Sequence, residues 1–229
     1  MTLRVPEKMQ DEAAAPFFGQ NGGKVVLAPW QARLKTFAIW WTGIALVFYS
    51  VYPLAYWLAS QRTRFYRPFL AAELRIPFVQ EWFWAYMSIY VLAILPPFFL
   101  NPPELRRLAR AFMAAILVAG LCFVAFPAPV GYARALPSGE PYHTLFRVIF
   151  HFDGPLNSVP SLHVCCAALF LLALGRRSSP FLRVMWAAWF FLIVCSTMLV
   201  HQHHVLDIVA GIALALLMHY CSRRKVPLA

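Results

Sequence analysis

The sequence predicts an all-α, polytopic membrane protein with six transmembrane helices in one bundle. Of its 229 residues, 61% are hydrophobic and only 13% are charged, and the mean hydropathy is +0.63. These values lie well outside the range of soluble globular domains. Several apolar runs are long enough to cross a bilayer, and no internal repeat is evident along the chain. One membrane domain therefore accounts for most of the chain.

Six apolar runs define the six predicted helices, in chain order: residues 36–60, 78–100, 109–126, 162–174, 184–200 and 205–220. The first three have close to the length of about 20 residues that a spanning helix needs. The last three are shorter, so we expect them to pack inside the bundle, extended by polar residues at one end. The long interruption at residues 127–160 contains a short amphipathic piece, TLFRVIFHF, and a loop of this length is often functional.

Lysine and arginine residues are distributed unequally between the two sides of this predicted bundle. Fourteen of the 20 fall in the N-terminal segment, the second and fourth loops and the C-terminal tail, and six fall in the first and third loops. This bias places both termini in the cytoplasm of a bacterial-type inner membrane. The fourth and sixth helices then begin at the periplasmic or exterior face. Anchoring to anionic lipid explains the net charge of +11, and no nucleic-acid partner is predicted.

This topology divides the chain into three parts. Residues 1–35 lack an apolar core flanked by a small-residue cleavage site, so we predict a cytoplasmic tail and an uncleaved signal anchor. Residues 36–221 form the six-helix membrane catalytic domain, and residues 222–229 form a basic cytoplasmic tail. The five cysteines lie in or beside apolar runs without metal-type spacing, and we expect them to be small buried hydrophobes.

The segment HQHHVLD, residues 201–207, places a histidine and an aspartate on one face of a helix, because His203 and Asp207 are four residues apart. The carboxylate can accept a hydrogen bond from one ring nitrogen, which leaves the other nitrogen free for nucleophilic attack. A carboxylate inside an apolar segment is costly and normally has a function. A pair that only joins helices is the alternative. His201 and His204 do not share this face, and we expect them to be solvated or lipid-facing.

The segment NSVPSLHV, residues 157–164, stands at the start of the fourth predicted helix. Pro160 suits the first turn of a helix, whose unpaired N–H groups form a site for an anion such as phosphate. The Ser161 hydroxyl adds a further donor, although a serine cap alone is weak evidence. His163 follows on the same membrane face as His203. Together the two helix starts predict phosphoryl transfer through a phosphohistidine.

These motifs resemble the type 2 phosphatidic acid phosphatase superfamily. PSLH, at residues 160–163, is similar to the second family motif. His203 and Asp207, preceded seven residues earlier by Ser196, are similar to the third. The resemblance implies a nucleophile, an orienting carboxylate, an acid that protonates the leaving oxygen and a phosphate-binding serine; in this order these are His203, Asp207, His163 and Ser161.

The resemblance covers roughly residues 78–220 and includes the order and spacing of the motifs and the six-helix topology. PSLH stands in place of the commoner PSGH. Together with IPFVQEWFWAYMSIY, residues 76–90, it is closer to the branch that includes inositol phosphorylceramide synthases.

Two cationic positions of the family pattern are absent from this chain. Arg67 is followed by proline as in the first motif, but Ser60 stands at the lysine position, and Thr197 follows Ser196 where the third motif usually has arginine. Other groups must therefore neutralise the charge on the equatorial oxygens. The candidates are the outer-loop arginines Arg134, Arg147 and Arg67. We favour Arg134, which follows FPAP in the long third loop, although each arginine is alternatively a headgroup anchor.

The sequence thus predicts an integral membrane enzyme that attacks lipid phosphate esters or phosphodiesters at the outer leaflet, without metal or cofactor. With water as the acceptor it is a lipid phosphatase, which is our prediction. With a lipid or polyol alcohol it is a phospholipid or sphingolipid headgroup phosphotransferase. An alternative of another class is a non-enzymatic metal or haem protein that uses His163, His201, His203 and His204. A transporter fits less well, because it requires polar residues at the membrane midplane.

Overall fold

The computed structural model describes residues 26–223, which are helical apart from their connecting segments and contain no strand. The α-helices, in chain order, are α1 (Trp30–Ser60), α2 (Phe83–Met87), α3 (Ile89–Ile94), α4 (Pro96–Phe99), α5 (Pro102–Ala125), α6 (Tyr142–Phe152), α7 (Leu162–Gly175), α8 (Pro180–Leu199) and α9 (Val205–Arg223). Two 3₁₀ turns, Glu73–Arg75 and Gln80–Trp82, precede α2. Of the two predicted tails, residues 1–25 and 224–229 lie outside the described residues.

Four helices within the described residues are long and apolar enough to cross a membrane: α1, α5, α8 and α9. The predicted all-helical, membrane-type fold class is therefore confirmed. The other two predicted spans differ from single long helices. α7 has 14 residues, or about 21 Å of helix, against a hydrocarbon core of about 30 Å. Residues 78–100 form three short helices, α2, α3 and α4. The number of six spans stays a prediction.

The second predicted span is divided by a serine and by a pair of prolines. Ser88, between α2 and α3, donates its hydroxyl to the Ala85 carbonyl at 2.6 Å and accepts the Trp189 ring N–H at 2.8 Å. Such side-chain bonds compete with the helical backbone ladder. Pro96 and Pro97 have no N–H to donate, so α3 ends before them and α4 begins at Pro96.

α5 is the central helix and packs against α1, α7 and α9. Two of its small residues, Ala115 and Ala119, are completely buried. At Gly120 an added Cβ would lie 2.5 Å from a side-chain carbon of Val51 in α1. Small residues allow helix backbones to approach closely in a membrane, where van der Waals packing drives association. The composition of α5 thus determines how closely α1 can pack.

α7 and α9 cross where the two predicted motifs lie. A Cβ added at Gly211 of α9 would lie 2.6 Å from the Ser161 carbonyl oxygen, so only glycine fits at this contact. One turn earlier in α9, the Asp207 carbonyl accepts the Ser161 N–H at 3.0 Å. The glycine therefore brings the start of α7 against the first turn of α9.

The bundle has two chemically different ends. At one end, which we call the histidine end, α8 ends and both α7 and α9 begin. The loop from α5 to α7 folds over it, and α6, which buries Phe146 and Ile149, forms from the predicted amphipathic piece. At the opposite end, Arg177 beyond α7 forms an ion pair of 2.8 Å with Glu104 in the first turn of α5.

Candidate active site

The turn between α8 and α9, residues 200–204, is fixed by the last turn of α8; we call it the histidine turn. The N–H groups of Gln202 and His203 both donate to the Thr197 carbonyl, at 2.9 and 3.0 Å. His201 has a φ of 56°, in the left-handed region that residues other than glycine rarely adopt. Thr197 occupies the arginine position of the family motif, and here its carbonyl anchors the turn.

His203 and Asp207 lie together, as their four-residue spacing predicts. Nδ1 of His203 is 3.3 Å from Oδ2 of Asp207, and the side chains are 8% and 1% exposed. Because an ionised carboxylate only accepts hydrogen bonds, Nδ1 carries the proton and Nε2 carries the lone pair. The same Oδ2 accepts the His204 N–H at 2.9 Å, whereas Oδ1 is buried and has no partner among the described residues. Nε2 thus carries a free lone pair, which can act as a nucleophile.

Ser161 begins α7 directly beside this pair. Its N–H is bonded to the Asp207 carbonyl, and its Oγ accepts the Val164 N–H at 3.2 Å. The first turn of α7 presents N–H groups and the positive end of the helix dipole, which favour an anion. Since Oγ acts as an acceptor towards Val164, its proton is available to a phosphate oxygen. The predicted anion site and the His–Asp pair are therefore adjacent.

His163 is held by Tyr86 of α2 through two contacts. Its Nε2 donates to the Tyr86 carbonyl at 2.8 Å, because a carbonyl can only accept. The two rings stack with centroids 3.9 Å apart at an angle of 11°. His203 is near enough to act electrostatically on His163. These contacts fix the His163 ring and leave Nδ1 as the nitrogen that can exchange a proton with a substrate.

The three arginines predicted to bind phosphate occupy different environments. Arg67 and Arg147 are exposed. Arg134 is half-buried, donates through Nη1 to the Asp153 carbonyl and lies 5.0 Å from the centre of the Phe150 ring. Its Nε is buried and has no hydrogen-bond partner among the described residues. Of the three, only Arg134 thus combines partial burial with a buried N–H group that is free to donate a hydrogen bond to an anion.

A carboxylate that the sequence did not single out lies near Tyr86, the residue on which His163 stacks. Asp153, just beyond α6, accepts a hydrogen bond from the Tyr52 hydroxyl of α1. Asp153 and Arg134 both act electrostatically on Tyr86, the residue on which His163 stacks. The long third loop therefore brings an acidic and a basic residue to the same side of the site. No helical spacing connects residue 153 with residues 52 and 86, so sequence periodicity could not reveal this cluster.

Glu73 also escaped the sequence analysis, although it binds the histidine turn directly. Its Oε2 accepts the His204 Nδ1–H at 3.1 Å and the Val205 N–H at 3.0 Å, and its Oε1 accepts the Leu70 N–H at 3.0 Å. Burial raises the pKa of Glu73, but these hydrogen bonds and His204 outweigh it, and the pKa is lowered. The Gly131 N–H donates to His204 Nε2 at 3.1 Å, which requires a neutral ring with its proton on Nδ1.

The expectation that His204 is solvated or lipid-facing is wrong, because its residue is only 1% exposed. Its ring stacks between Phe69 and Tyr132, with centroid distances of 4.4 and 4.3 Å. Tyr132 stacks in turn on His201 at 4.0 Å, and His201 Nε2 donates to the Ile76 carbonyl at 2.9 Å. Burial lowers the pKa of His204 despite the opposing influence of nearby Asp207 and Glu73. Aromatic residues from two loops therefore keep this histidine neutral.

Fold and site together define a class: an all-helical protein of the membrane type, with a buried His–Asp pair beside a capped helix start and a second histidine. The PAP2 superfamily profile matches residues 51–221, about three quarters of the chain. The chain belongs to the PAP2 superfamily. Membership suggests a phosphatase-type enzyme that transfers phosphoryl groups of lipid-like substrates.

No curated protein matches the chain, so the comparisons support the superfamily but not a particular branch of it. The described residues contain no group of three or more His, Cys, Asp or Glu side chains that could hold a metal ion. We therefore infer the substrate and the acceptor from the chemistry of the site.

Proposed function

We propose that this protein is a membrane phosphatase that hydrolyses lipid phosphate esters through a covalent phospho-His203 intermediate. The observation that supports the proposal is the bond from the Ser161 N–H to the Asp207 carbonyl, through which the start of α7 contacts the helix turn that carries the buried His203–Asp207 pair. A phosphate bound at the helix start then lies beside a histidine whose proton is held on Nδ1.

The first chemical step is attack by His203 Nε2 on phosphorus. A P–N bond forms while the ester P–O bond breaks, and His163, protonated at both nitrogens, gives its Nδ1 proton to the leaving oxygen. Nε2–H of His163 stays on the Tyr86 carbonyl throughout. Asp207 stabilises the positive charge that the His203 ring acquires.

In the second step His163 acts as a base, and the bond between His203 and phosphorus is broken. Water loses a proton to His163 Nδ1 and attacks phosphorus, and the P–N bond breaks. Inorganic phosphate then departs, and His203 returns to its neutral imidazole form. Ser161 Oγ–H and the first N–H groups of α7 donate to the equatorial oxygens. We assign Arg134 as the cation that completes this cradle, because its buried Nε has no hydrogen-bond partner among the described residues.

A headgroup phosphotransferase is the second candidate function, and the PSLH variant at residues 160–163 favours it. In that case the substrate is a phosphodiester, and the first step releases the lipid alcohol and leaves the headgroup phosphate on His203 Nε2. A lipid or polyol alcohol then loses its proton to His163 Nδ1 and attacks phosphorus, and the P–N bond breaks to give a new phosphodiester. Phosphatase and transferase thus share the histidine chemistry and differ in the substrate ester and in the acceptor.

The proposed function is tested by incubating the purified protein with phosphatidic acid, other phospholipids and prenyl phosphates. Release of inorganic phosphate together with the dephosphorylated lipid alcohol, and with no new phosphorus-containing lipid, identifies the phosphatase, whereas a new phosphodiester formed from a phospholipid and an alcohol identifies the transferase. Vanadate, which mimics the trigonal bipyramidal transition state, is expected to inhibit competitively. Activity is expected to survive chelator. Loss of activity in chelator with recovery on adding metal would replace the histidine mechanism with a metal-dependent one.

We further propose that α7 and residues 78–100 complete a six-span domain over residues 36–221, with both termini cytoplasmic and the histidine end facing the periplasm or exterior. The unequal distribution of Lys and Arg supports this orientation. In intact cells, an impermeant thiol reagent is expected to label Ser138→Cys, in the exposed third loop, but not Cys221, which is exposed near the end of α9. The opposite labelling pattern would put the site in the cytoplasm.

A further inference from the structure

The histidine turn contains two adjacent buried histidines, His203 and His204, but only one aspartate follows within helical reach. His204 is already bound to Asp207 through its backbone N–H. Oδ1 of Asp207 is buried and has no partner among the described residues, so it could accept a further N–H donor. The sequence alone does not decide which of the two rings Asp207 orients.

In the structure, both ring nitrogens of His204 are occupied by other groups. Nδ1–H donates to Glu73 Oε2, and Nε2 accepts the Gly131 N–H. The ring is also stacked between two aromatic side chains, Phe69 and Tyr132. The ring is therefore held towards the first and third loops, and Asp207 is left to His203.

Glu73 is itself fixed rather than mobile. Its Oε1 accepts the Leu70 N–H, and its Oε2, which accepts the His204 Nδ1–H, also accepts the Val205 N–H at the start of α9. The Glu73 carbonyl accepts the Tyr132 hydroxyl at 3.2 Å. A carboxylate at a helix N-terminus is favoured by the unpaired N–H groups and by the dipole. Glu73 thus binds both the side chain of His204 and the helix that carries Asp207.

We propose that Glu73 is a positioning residue of the active site: by binding His204 Nδ1–H, it prevents His204 from pairing with Asp207 and so reserves that carboxylate for His203. The inference rests on the proposed function, in which His203 is the nucleophile. Glu73 does not touch the substrate, and it acts only through His204 and the start of α9.

The proposal predicts a loss of turnover that the removal of a second side chain relieves. In Glu73→Met the His204 ring loses its acceptor and can turn its Nδ1–H to the unpaired Asp207 Oδ1. A carboxylate shared between two rings then shifts from the position that it holds beside His203 Nδ1. A misplacement of about 1 Å costs about a hundredfold in rate, so we expect kcat to fall about ten- to a hundredfold with little change in KM. His204→Phe keeps a stacking ring but removes the competing nitrogens, and we expect it to cost only a few-fold.

The decisive measurement is kcat of the double variant Glu73→Met/His204→Phe. Without an imidazole at residue 204, Asp207 has no competing partner, so the double variant is expected to turn over several-fold faster than Glu73→Met. A purely structural role predicts relief in the unfolding temperature instead, because His204→Phe also removes the buried N–H donor that Glu73→Met leaves unpaired, so kcat is compared at equal concentrations of folded protein. The matched control is Glu81→Met, a substitution of an exposed glutamate in the same loop, for which no change in kcat is expected.

Folding is verified in each variant by thermal unfolding and gel filtration in detergent. Normal kcat in Glu73→Met, or a double variant no faster than Glu73→Met, would overturn the proposal. Should Glu73→Met not fold, Glu73→Leu, which also lacks an acceptor for His204 Nδ1–H, replaces it in the same cycle, with the same relief by His204→Phe required. His203→Ala is assayed in parallel: activity in that variant would remove the proposed function itself, whereas an inactive His203→Ala with a normal Glu73→Met removes this inference alone.

Discussion

The histidine turn and the third loop's Arg134 differ in which kind of buried polar group is left without a hydrogen-bond partner in the described part of the chain. In the turn, backbone and side-chain groups of four segments hold His203 and His204, through Thr197, Asp207, Glu73 and Gly131. Arg134 makes one hydrogen bond to a backbone carbonyl, and its buried Nε has none among the described residues. On the nucleophile's side the buried atoms without a partner among the described residues are acceptors, Gln202 Oε1 and Asp207 Oδ1, whereas on the cationic side the unpaired atom is a donor, Arg134 Nε.

This difference indicates which part of catalysis the folded chain prepares in advance. A nucleophile must be oriented before the substrate arrives, because reorganisation in the transition state raises the barrier. A buried donor without an acceptor costs about 1–3 kcal/mol, and a bound phosphate oxygen would remove that cost. The hydrogen bonds to the histidine rings therefore fix their orientation, and the unpaired Arg134 donor is where we expect a substrate anion to bind.

The largest expected effect is at the nucleophile. His203→Ala removes the atom that forms the P–N bond, so we expect no measurable turnover of any lipid phosphate that the wild type hydrolyses. His151→Ala, at an exposed histidine of α6, is the matched control and is expected to retain full activity. Wild-type turnover in folded His203→Ala would show that the hydrogen-bonded histidine turn has no chemical role, and the comparison with Arg134 would then lose its basis.

The next effect is at the carboxylate that orients the nucleophile. Asp207→Asn keeps the size of the side chain but favours the wrong tautomer of His203, and activity is expected to fall by about four orders of magnitude, as in other catalytic His–Asp pairs. Single-turnover phosphate release from folded protein provides the measurement. Glu140→Gln, an exposed carboxylate in the third loop, serves as control. A loss of less than tenfold would show that the turn orients His203 without the carboxylate.

An intermediate effect is expected on the unsatisfied side of the site. Arg134→Ala removes a charge-assisted hydrogen bond to phosphate, which is worth about 1.5–3 kcal/mol, so kcat/KM should fall about 10- to 150-fold. Vanadate inhibition should weaken by a similar factor, because vanadate occupies the same cradle. If vanadate binds Arg134→Ala as tightly as the wild type, the buried Nε has another purpose.

The smallest effects are expected at the two exposed arginines. Arg67→Ala and Arg147→Ala change side chains at the surface, where substitutions usually alter free energies by less than about 0.5 kcal/mol. We therefore expect kcat/KM to change by less than about threefold in either variant, measured alongside Arg134→Ala. If kcat/KM fell as much in Arg67→Ala as in Arg134→Ala, Arg67 in the first loop would be a phosphate ligand, as its position in the family motif suggests.

The local parts of the site could be predicted from the sequence because they depend on short-range geometry. Four residues separate His203 from Asp207, and this spacing alone puts their side chains on one helix face. Likewise, the serine before an apolar run indicated the cap of α7, and Ser161 is that cap. The apolar runs also predicted the four long helices, since their length and composition suffice for the assignment.

The two prolines Pro96 and Pro97 are visible in the sequence and indicate a break in the second predicted span. We predicted one helix there because the segment is apolar throughout. A count of apolar residues cannot detect a missing backbone donor or the Trp189 contact that holds Ser88 between α2 and α3. For this region the sequence determined that the segment is apolar, and packing determined that it is not one helix.

What only the tertiary structure decided is which distant groups meet at the histidine turn. Glu73 lies 131 residues before His204, and Gly131 lies 73 residues before it, so no periodicity relates them. The sequence by itself determined the nucleophile's partner on its own helix, because an α-helix repeats at a fixed interval. The fold alone determined that the neighbouring histidine is bound elsewhere, because hydrogen bonds between loops depend on how the whole chain packs.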